Sequence, residues 1–283
     1  MHTPVEVTER AMAALTACAA DCLVALGGGS AIGLAKALAL RSGVDQIVIP
    51  TTYAGSEMTD ILGEAAGGVK TTRRNPAIRP EVVIYDVALT LALPVPVTVT
   101  SALNAIAHAA EALYAPDRNP VVLGLATEAL GLFKTAMPVL IANPTDPAAR
   151  AQALYAAWCC STALGQVSMA LHHKLCHTLG GAFNTPHADT HAILLPHTIA
   201  FNALAVPDLL APIAGVFGSI GAGLFDFAAG IGAPTRLSDL GLTAPDLDRA
   251  ALLAVKAPYP NPRPFTQVDI RTLLQNAWAG VRP

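Results

Sequence analysis

The stretch His172–His191 reads HHKLCHTLGGAFNTPHADTH and contains five of the eight histidines in the chain. If its first part is helical, His173 and His177 lie one turn apart on the same face. His187 and His191 have the same spacing in the second part. Imidazole binds metal ions and exchanges protons near neutral pH. The cluster therefore favours a catalytic or metal-binding centre over a set of purely structural histidines.

Two glycines and a Thr-Pro pair divide this stretch into two predicted helices. Gly180 and Gly181 predict a turn after the first helix. Thr185 is a favourable N-cap residue and Pro186 is favourable at the first helical position, so we expect the second helix to start there. Two helices joined in this way can direct several imidazoles at one point.

The composition indicates a large buried core. Of the 283 residues, 53% are hydrophobic and 13% are charged, with a net charge of −3 and a mean hydropathy of +0.49. This charge argues against a nucleic-acid partner, which requires a basic face. The five cysteines show no paired CxxC spacing, which argues against a disulfide scaffold or a zinc knuckle.

No segment is a convincing membrane span. The nearest approach to a span is the uncharged run 209–225, which is slightly short and is interrupted by a proline and four glycines. The N-terminus does not resemble a signal peptide. We therefore expect a cytoplasmic protein without a membrane partner.

The first third of the chain alternates between predicted helices and strands. Residues 5–20 are rich in alanine and predict a helix, and the apolar run DCLVAL at 21–26 is typical of a buried parallel strand. The strand continues into Gly27–Ser30, and a helical segment follows over 31–40. Free N–H groups at such a helix N-terminus bind phosphate, and glycines let it approach. The alternative is an ordinary glycine turn.

Two further strands are predicted. QIVIP at 46–50 precedes the loop TTYAGSE at 51–57, whose polar groups we expect near the same phosphate. EVVIY at 81–85 is the third strand. The residues ahead of it form a basic patch, which is either a solvated loop or a site that captures an anionic substrate or cofactor; its members are Lys70, Arg73, Arg74 and Arg79.

Three strands are few for a dinucleotide-binding sheet, which usually has about five or six. We therefore expect an incomplete α/β domain over 1–93 and an all-helical domain over 94–283, with the boundary at Pro94 and Pro96. The first helix of the second domain is predicted to start at Thr100 or Ser101. More helices are predicted at roughly 120–142 and 147–168.

Taken together, these segments resemble the iron-containing (group III) alcohol dehydrogenases, and most closely the maleylacetate reductases of aromatic-compound degradation. The histidine block is the most specific element. The resemblance covers essentially the whole chain and rests on GGGSAIGLAK from Gly27, PTTYAGSE from Pro50, PEVVIYD from Pro80, SALNAIAHAAEALY from Ser101, MALHHKLCHTLGGAFNTPHADTHAILLPH from Met169, GAPTRLSDLG from Gly232 and NPRP from Asn261.

This resemblance implies a Rossmann-like dinucleotide-binding domain followed by an all-α domain, the architecture shared with dehydroquinate synthase. It also implies NADH or NADPH as the cofactor. The residues that it assigns to the phosphates or the nicotinamide are Gly27, Gly28, Gly29, Ser30, Thr51, Thr52 and Ser56.

The resemblance also assigns the polar residues of the helical domain. In metal-dependent relatives an Asp and three His bind a divalent ion, and the matching positions here are Asn104, His108, His173 and His187. Because Asn104 replaces the only anionic ligand, as in the reductase branch, we expect no required metal. Gly33, where many relatives carry Asp, fits the same branch.

The implied reaction is the reduction of the carbon–carbon double bond of maleylacetate to give 3-oxoadipate. An acid must protonate one carbon and a donor must stabilise the enolate. The catalytic residues that we predict are His177, which matches a histidine linked to proton transfer, together with His173, His108, His187 and Asn104. Lys174 and Lys70 are predicted to bind the small dicarboxylate substrate, although Lys174 is equally consistent with a surface lysine.

Two alternatives remain beside this function. One is a metal-dependent NAD(P) alcohol dehydrogenase that uses His108, His173 and His187. The other is an inactive fragment that acts only as a binding or dimerising module, because full-length relatives extend upstream of Met1 and carry the first strands of the nucleotide site there. The resemblance also implies a homodimer.

Overall fold

The computed structural model describes residues 3–66, 69–256 and 259–283, and of residues 65, 66, 69 and 70 it describes the backbone alone. The chain begins with an α/β part and is helical from Val95 onward. The elements of the α/β part are β1 (Thr3–Pro4), α1 (Val5–Cys18), β2 (Cys22–Gly27), α2 (Gly29–Ser42), β3 (Asp45–Pro50), β4 (Ile61–Ala66), β5 (Val69–Arg74) and β6 (Val82–Val83).

One sheet has the order β2-β3-β6 with all strands parallel. Helix α2 covers one of its faces, where Ile32 packs against the buried side chains of Ala25 and Val48. On β2 the side chains of Val24 and Leu26 are exposed. This sheet confirms the predicted strand–glycine turn–helix unit and places the glycine turn at the carboxyl end of the strands.

A second sheet, which the sequence did not predict, has the order β1-β4-β5. β4 and β5 form an antiparallel pair, and β1 runs parallel to β4. The predicted basic loop is therefore largely strand β5, and the predicted third strand is reduced to the two residues of β6. β5 carries five polar residues after Val69, so it lacks the apolar run by which a buried strand is recognised.

The helical part contains nine α-helices within the described residues. They are α3 (Val95–Ala112), α4 (Pro120–Ala142), α5 (Pro147–Gln166), α6 (Leu171–Phe183), α7 (His187–Ala203), α8 (Ala211–Phe217), α9 (Gly221–Gly230), α10 (Ala244–Val255) and α11 (Gln267–Ala279).

Helix α3 is the centre of this part. Every residue from Thr98 to Ala112 is buried, and the helix packs against α4, α5 and α7. Its many alanines allow the neighbouring helices to approach closely, and a helix that is buried on every side is a core helix.

The predicted start of α3 was wrong. The helix begins at Val95, directly after Pro94, and not at Thr100 or Ser101. Both hydroxyls instead donate hydrogen bonds to carbonyls one turn earlier in the same helix, from Thr100 to Pro96 and from Ser101 to Val97. Hydroxyl residues favour caps but also occur inside helices with this bonding, so residue type alone misplaced the boundary.

The junction between α6 and α7 also differs from the prediction. α6 continues through both glycines and ends at Phe183, and its C-cap Asn184 has a left-handed φ of 55°. α7 begins at His187 after Pro186. The hydroxyl of Thr185 does not cap the helix, and it accepts a hydrogen bond from the hydroxyl of Thr190. The two histidine pairs still lie on separate helices.

A buried arginine connects the two parts of the chain. Arg150 of α5 is fully buried and donates hydrogen bonds to the hydroxyls of Tyr53 and Thr98 and to the carbonyls of Leu93 and Pro144. All its bonds therefore go to protein groups, as a buried cation requires. The interaction with Tyr53 fixes loop 51–57 of the α/β part against the helical part.

Two stretches are long and apolar enough to cross a membrane by length and composition alone, namely Pro120–Ala142 and Ala211–Gly230. The first is α4, which packs on α3 and α5. The second is divided into α8 and α9, and Gly218 between them has a φ of +85°. That no membrane partner exists stays a prediction.

Candidate active site

The predicted cofactor loop and the histidine helices face one continuous cleft. Two cavities make up this cleft, a cofactor-side cavity of about 390 Å³ and a histidine-side cavity of about 300 Å³. Both are lined by Ala54, Ser56, Ile61, Gly63, Asn104 and His187. The two cavities therefore adjoin each other and share these walls.

The cofactor-side cavity is lined by Gly28, Gly29 and Ser30 at the start of α2, and by Thr52 and Ser56 of the following loop. A Cβ on Gly28 would lie 2.9 Å from Cγ2 of Thr52, so glycine is required there by close packing. The absence of a side-chain cap on α2 leaves its first backbone N–H groups available to a phosphate.

Gly27 and Thr51, which are also predicted cofactor residues, support this loop without lining the cavity. Gly27 has a φ of +149°, a conformation that glycine readily adopts, and its carbonyl accepts a hydrogen bond from the backbone N–H of Thr51. Gly33 lines the cavity, and a Cβ there would lie 2.7 Å from Oγ1 of Thr3. Any larger residue at position 33 would have to displace the hydroxyl of Thr3.

Three helices contribute the imidazole and amide side chains of the histidine-side cavity. α3 contributes Asn104 and His108, α6 contributes His173 and His177, and α7 contributes His187. The ring centroids are 5.0 Å apart for His108 and His173 and 6.1 Å apart for His177 and His187. The structure therefore brings together all five catalytic residues predicted from the sequence, and the i,i+4 spacing within each helix explains why.

A buried carboxylate that was not among the predicted site residues orients this cluster. Oε2 of Glu111 lies 2.6 Å from Nδ1 of His173 and accepts a hydrogen bond from the backbone N–H of Ala170. Oε1 accepts hydrogen bonds from the backbone N–H of His172 and the hydroxyl of Tyr114. Burial alone would raise the pKa of Glu111, but His173 and these donors hold it at about 2. The carboxylate therefore fixes both the start of α6 and the ring of His173.

A second pair of buried histidines lies behind the cavity. Nε2 of His172 is 2.9 Å from Nδ1 of His191, and Nδ1 of His172 is 3.0 Å from the hydroxyl of Thr198. Burial lowers the pKa of His172 to about 3 and that of His191 well below its usual range. Burial also lowers the pKa of His108 strongly. These three imidazoles are therefore neutral near pH 7, the state in which imidazole accepts a metal ion.

Four buried polar atoms in this region have no hydrogen-bond partner among the described residues: Asn104 Oδ1, His108 Nδ1, His173 Nε2 and His191 Nε2. Unpaired buried atoms are unfavourable unless a ligand, ion or water occupies the space beside them. Moreover, the other nitrogen of His173 contacts a carboxylate, the arrangement usual for metal-ligating histidines. The donors present therefore fit a divalent metal ion.

The predicted substrate lysines are placed differently from the histidines. Nζ of Lys174 lies 5.5 Å from the ring centroid of Tyr259, and Lys174 does not line either cavity. Lys70 belongs to β5, but its side chain lies outside the described residues. Instead, Arg74 at the end of β5 lines the histidine-side cavity. A role for either lysine stays a prediction.

The sequence contained some signal for the residues that were missed. Glu111 is the only acidic residue in α3, a helix that is otherwise apolar or weakly polar, and such an isolated charge indicates a buried partner. Arg74 belonged to the basic patch, but its direction depends on pairing with β4, which sequence alone did not show.

Two family models match the chain. Residues 1–87 match "Iron-containing alcohol dehydrogenase", and residues 98–278 match "Fe-containing alcohol dehydrogenase family, C-terminal". In addition, the ligand atoms of His172, Cys176 and His191 all lie within 4.8 Å of one another, a group able to hold an ion. The expectation that no metal is involved is therefore wrong. Replacement of one carboxylate ligand by Asn104 removes one anionic donor, but it leaves several imidazoles and a thiol.

The chain is 59% identical to a maleylacetate reductase of Rhizobium sp. strain MTP-10005 and 54% identical to maleylacetate reductase 1 of Rhodococcus opacus. Each alignment covers all of this chain and 81% or 80% of the relative. The crystal structure of maleylacetate reductase from Agrobacterium tumefaciens superposes with a TM-score of 0.97 at 60% identity, over all of this chain and 81% of the other. The chain belongs to the iron-containing alcohol dehydrogenase family.

Proposed function

We propose that this chain is an oxidoreductase that uses NADH or NADPH to reduce the carbon–carbon double bond of maleylacetate, giving 3-oxoadipate. The observation that carries this proposal is the continuous cleft. It connects a glycine-lined helix N-terminus, suited to a pyrophosphate, with a histidine cluster suited to proton transfer. The similarity to named maleylacetate reductases supplies the substrate.

The glycine loop would hold the cofactor. Gly28, Gly29 and Ser30 would bind the pyrophosphate, and Thr52 and Ser56 line the same cavity. When they are bound, the nicotinamide supplies a hydride and a divalent ion supplies a Lewis acid for the substrate ketone. The residues that would hold the ion are those of the histidine cluster.

The chain's own side chains complete the reaction. The ketone makes the distant alkene carbon electrophilic, so the hydride forms a bond there and the electron pair of the double bond moves to the ketone oxygen as an enolate. A proton then adds to the carbon beside the ketone. Asn104 lines both cavities, and its amide is the donor that we assign to this oxygen.

His177 is the residue that we assign as the proton donor. It lines the histidine-side cavity and is exposed, whereas His108, His172 and His191 are buried. An exposed imidazole regains its proton from solvent after each turnover, which a buried neutral imidazole does less readily. His173, His108 and His187 then position the substrate or the ion.

The cellular context is part of the proposal. The similar maleylacetate reductases come from bacteria. We expect a homodimer in the bacterial cytoplasm that acts on a small dicarboxylate, without nucleic acid or membrane as a partner. NADH and NADPH both remain open as hydride sources.

A kinetic comparison of substrates and variants tests this function. The purified chain should oxidise NADH or NADPH with maleylacetate, and His177→Asn should lower kcat by about a hundredfold or more. His197→Leu is a matched control, because His197 lines neither cavity. Oxidation of simple alcohols with no turnover of maleylacetate would support the alcohol dehydrogenase alternative and would contradict the proposal.

A further inference from the structure

Arg74 occupies a special position in the cleft. Among the described residues that line the two cavities, it is the only one with a permanently cationic side chain. It lies on β5 two residues after Thr72, which lines the same cavity. Alternate residues of a strand point to the same face, so Thr72 and Arg74 share the cavity face and Arg73 points to the other.

One carboxylate lies beside the guanidinium. Nε of Arg74 lies 3.4 Å from Oδ1 of Asp60, whose side chain is 9% exposed against 49% for that of Arg74. The backbone is fixed at the same point, because the N–H of Asn75 donates to the carbonyl of Asp60 and Ile61 pairs with Arg74 across the sheet. Among the described residues, Arg74 makes no other ion pair and its side chain makes no hydrogen bond.

This leaves the two terminal nitrogens of the guanidinium for a ligand. They lie in one plane and match the two oxygens of a carboxylate, so they can bind a carboxylate with two parallel hydrogen bonds. The same cavity contains His173, His177 and His187. A carboxylate at Arg74 would therefore belong to a molecule whose other atoms lie among the histidines.

We propose that Arg74 binds one carboxylate of the substrate and makes the site selective for dicarboxylates over neutral ketones and alcohols. This assignment rests on the proposed function, because it takes maleylacetate as the molecule in the histidine-side cavity. The predicted roles of Lys174 and Lys70 in substrate binding are not changed by this proposal. Arg74 is an additional substrate contact, and it lines the cavity.

The test compares Arg74→Gln with Arg73→Gln, its matched control on the opposite face of β5. Arg74→Gln should raise KM for maleylacetate by about tenfold or more while kcat changes little, because the lost contact is made equally in ground and transition states. Arg74→Lys should lie between Arg74→Gln and the wild type, because it keeps the charge but loses the planar fork. Affinity for NADH and the melting temperature should match those of Arg73→Gln.

Binding of saturated dicarboxylates separates this inference from the proposed function. In calorimetry, wild type with NADH should bind 3-oxoadipate or adipate more tightly than Arg74→Gln does, whether or not maleylacetate is turned over. If wild type binds the dicarboxylate through Arg74 but does not reduce maleylacetate, the proposed function fails and the assignment of Arg74 stands. If both variants bind it equally, or wild type does not bind it, the assignment is overturned.

Discussion

Nδ1 of His173 lies 2.6 Å from Oε2 of Glu111, and the other oxygen of this carboxylate accepts a hydrogen bond from the backbone N–H of His172. One buried anion on α3 therefore orients a histidine ring and also holds the start of the helix that carries it. The ring is held so that Nε2, which has no partner among the described residues, is left for a ligand. This relationship connects the packing of the core helix with the chemistry of the cleft.

The first prediction concerns this carboxylate. Glu111→Gln should lower kcat/KM for maleylacetate by about 10- to 100-fold, as loss of an outer partner of a ligating histidine usually does. The amide nitrogen of the glutamine would face N–H groups that donate to the carboxylate in the wild type. It cannot accept from them, so the ring of His173 would turn. Steady-state kinetics with a check of folding by circular dichroism measure this effect.

Asp146→Asn is the control for Glu111→Gln. Asp146 caps the start of α5 by accepting a hydrogen bond from the backbone N–H of Ala149, and among the described residues it makes no hydrogen bond to a histidine. The kcat/KM of this control variant should remain near that of the wild type. Equal losses in both variants would show that Glu111 acts only by fastening the chain, contrary to the orienting role.

A second prediction concerns the glycine loop. A methyl group at position 28 would lie 2.9 Å from Cγ2 of Thr52, closer than such atoms approach, so the loop must move. Gly28→Ala should therefore weaken NADH binding by about tenfold, measured by titration of nicotinamide fluorescence. Gly124→Ala in α4 is the control, because its methyl group would meet no atom within 4 Å. Unchanged affinity in Gly28→Ala would remove the loop from the cofactor site.

The third prediction distinguishes two possible metal sites, one that includes His173 and one formed by His172, Cys176 and His191. Protein treated with a chelator should bind Co²⁺, and His173→Ala should abolish this binding, because Nε2 of His173 is unpaired and Glu111 supports its other nitrogen. Cys176→Ser should retain it, since His172 and His191 near Cys176 already bond to each other at 2.9 Å. A thiolate-to-cobalt absorption band that disappears in Cys176→Ser would place the ion at His172, Cys176 and His191 instead.

The fourth prediction concerns stability in acid. Burial lowers the pKa of His197 to about 4, below the usual 6.5. Between these values the unfolded chain binds a proton that the native chain does not, so the free energy of unfolding falls as the pH drops from 6.5 to 4. The contribution of this one group is at most about 3 kcal/mol.

His197→Leu removes this contribution and keeps the position apolar. The pH dependence of the free energy of unfolding, measured with urea, should be less steep in this variant than in the wild type over that range. The other buried histidines affect both proteins equally. If the free energy of unfolding has the same pH dependence in both proteins, His197 binds a proton in the native protein as readily as in the unfolded chain, which would contradict the prediction.

The sequence predicted best those features that depend on local pattern. The strand, glycine turn and helix around Gly27–Ser30 were correctly assigned, because a short apolar run followed by glycines and a helical segment is a local signal. Helix α4 was predicted to begin at Pro120, where it does begin, after the N-cap Asn119. The i,i+4 histidine pairs lie on α6 and α7, as their spacing indicated.

Features that depend on tertiary pairing could not be predicted in this way. Strands β4 and β5 are stabilised by each other and by β1, and their polar side chains carry no strand signal. Glu111 and His173 are 62 residues apart in the chain and meet through the packing of α3 against the histidine helices. For the same reason, the sequence placed Arg74 in a basic patch but did not show where its side chain points. The pairing of β5 with β4 directs that side chain into the cleft.

The most direct test of the account locates the transferred hydride. The purified chain is incubated with maleylacetate and nicotinamide cofactor that carries deuterium at the reactive carbon, and the product is examined by nuclear magnetic resonance. The account predicts 3-oxoadipate with deuterium on the methylene group farther from the ketone and a solvent proton on the methylene group beside it. Deuterium on a carbinol carbon, with the double bond intact, would show ketone reduction and would contradict the account.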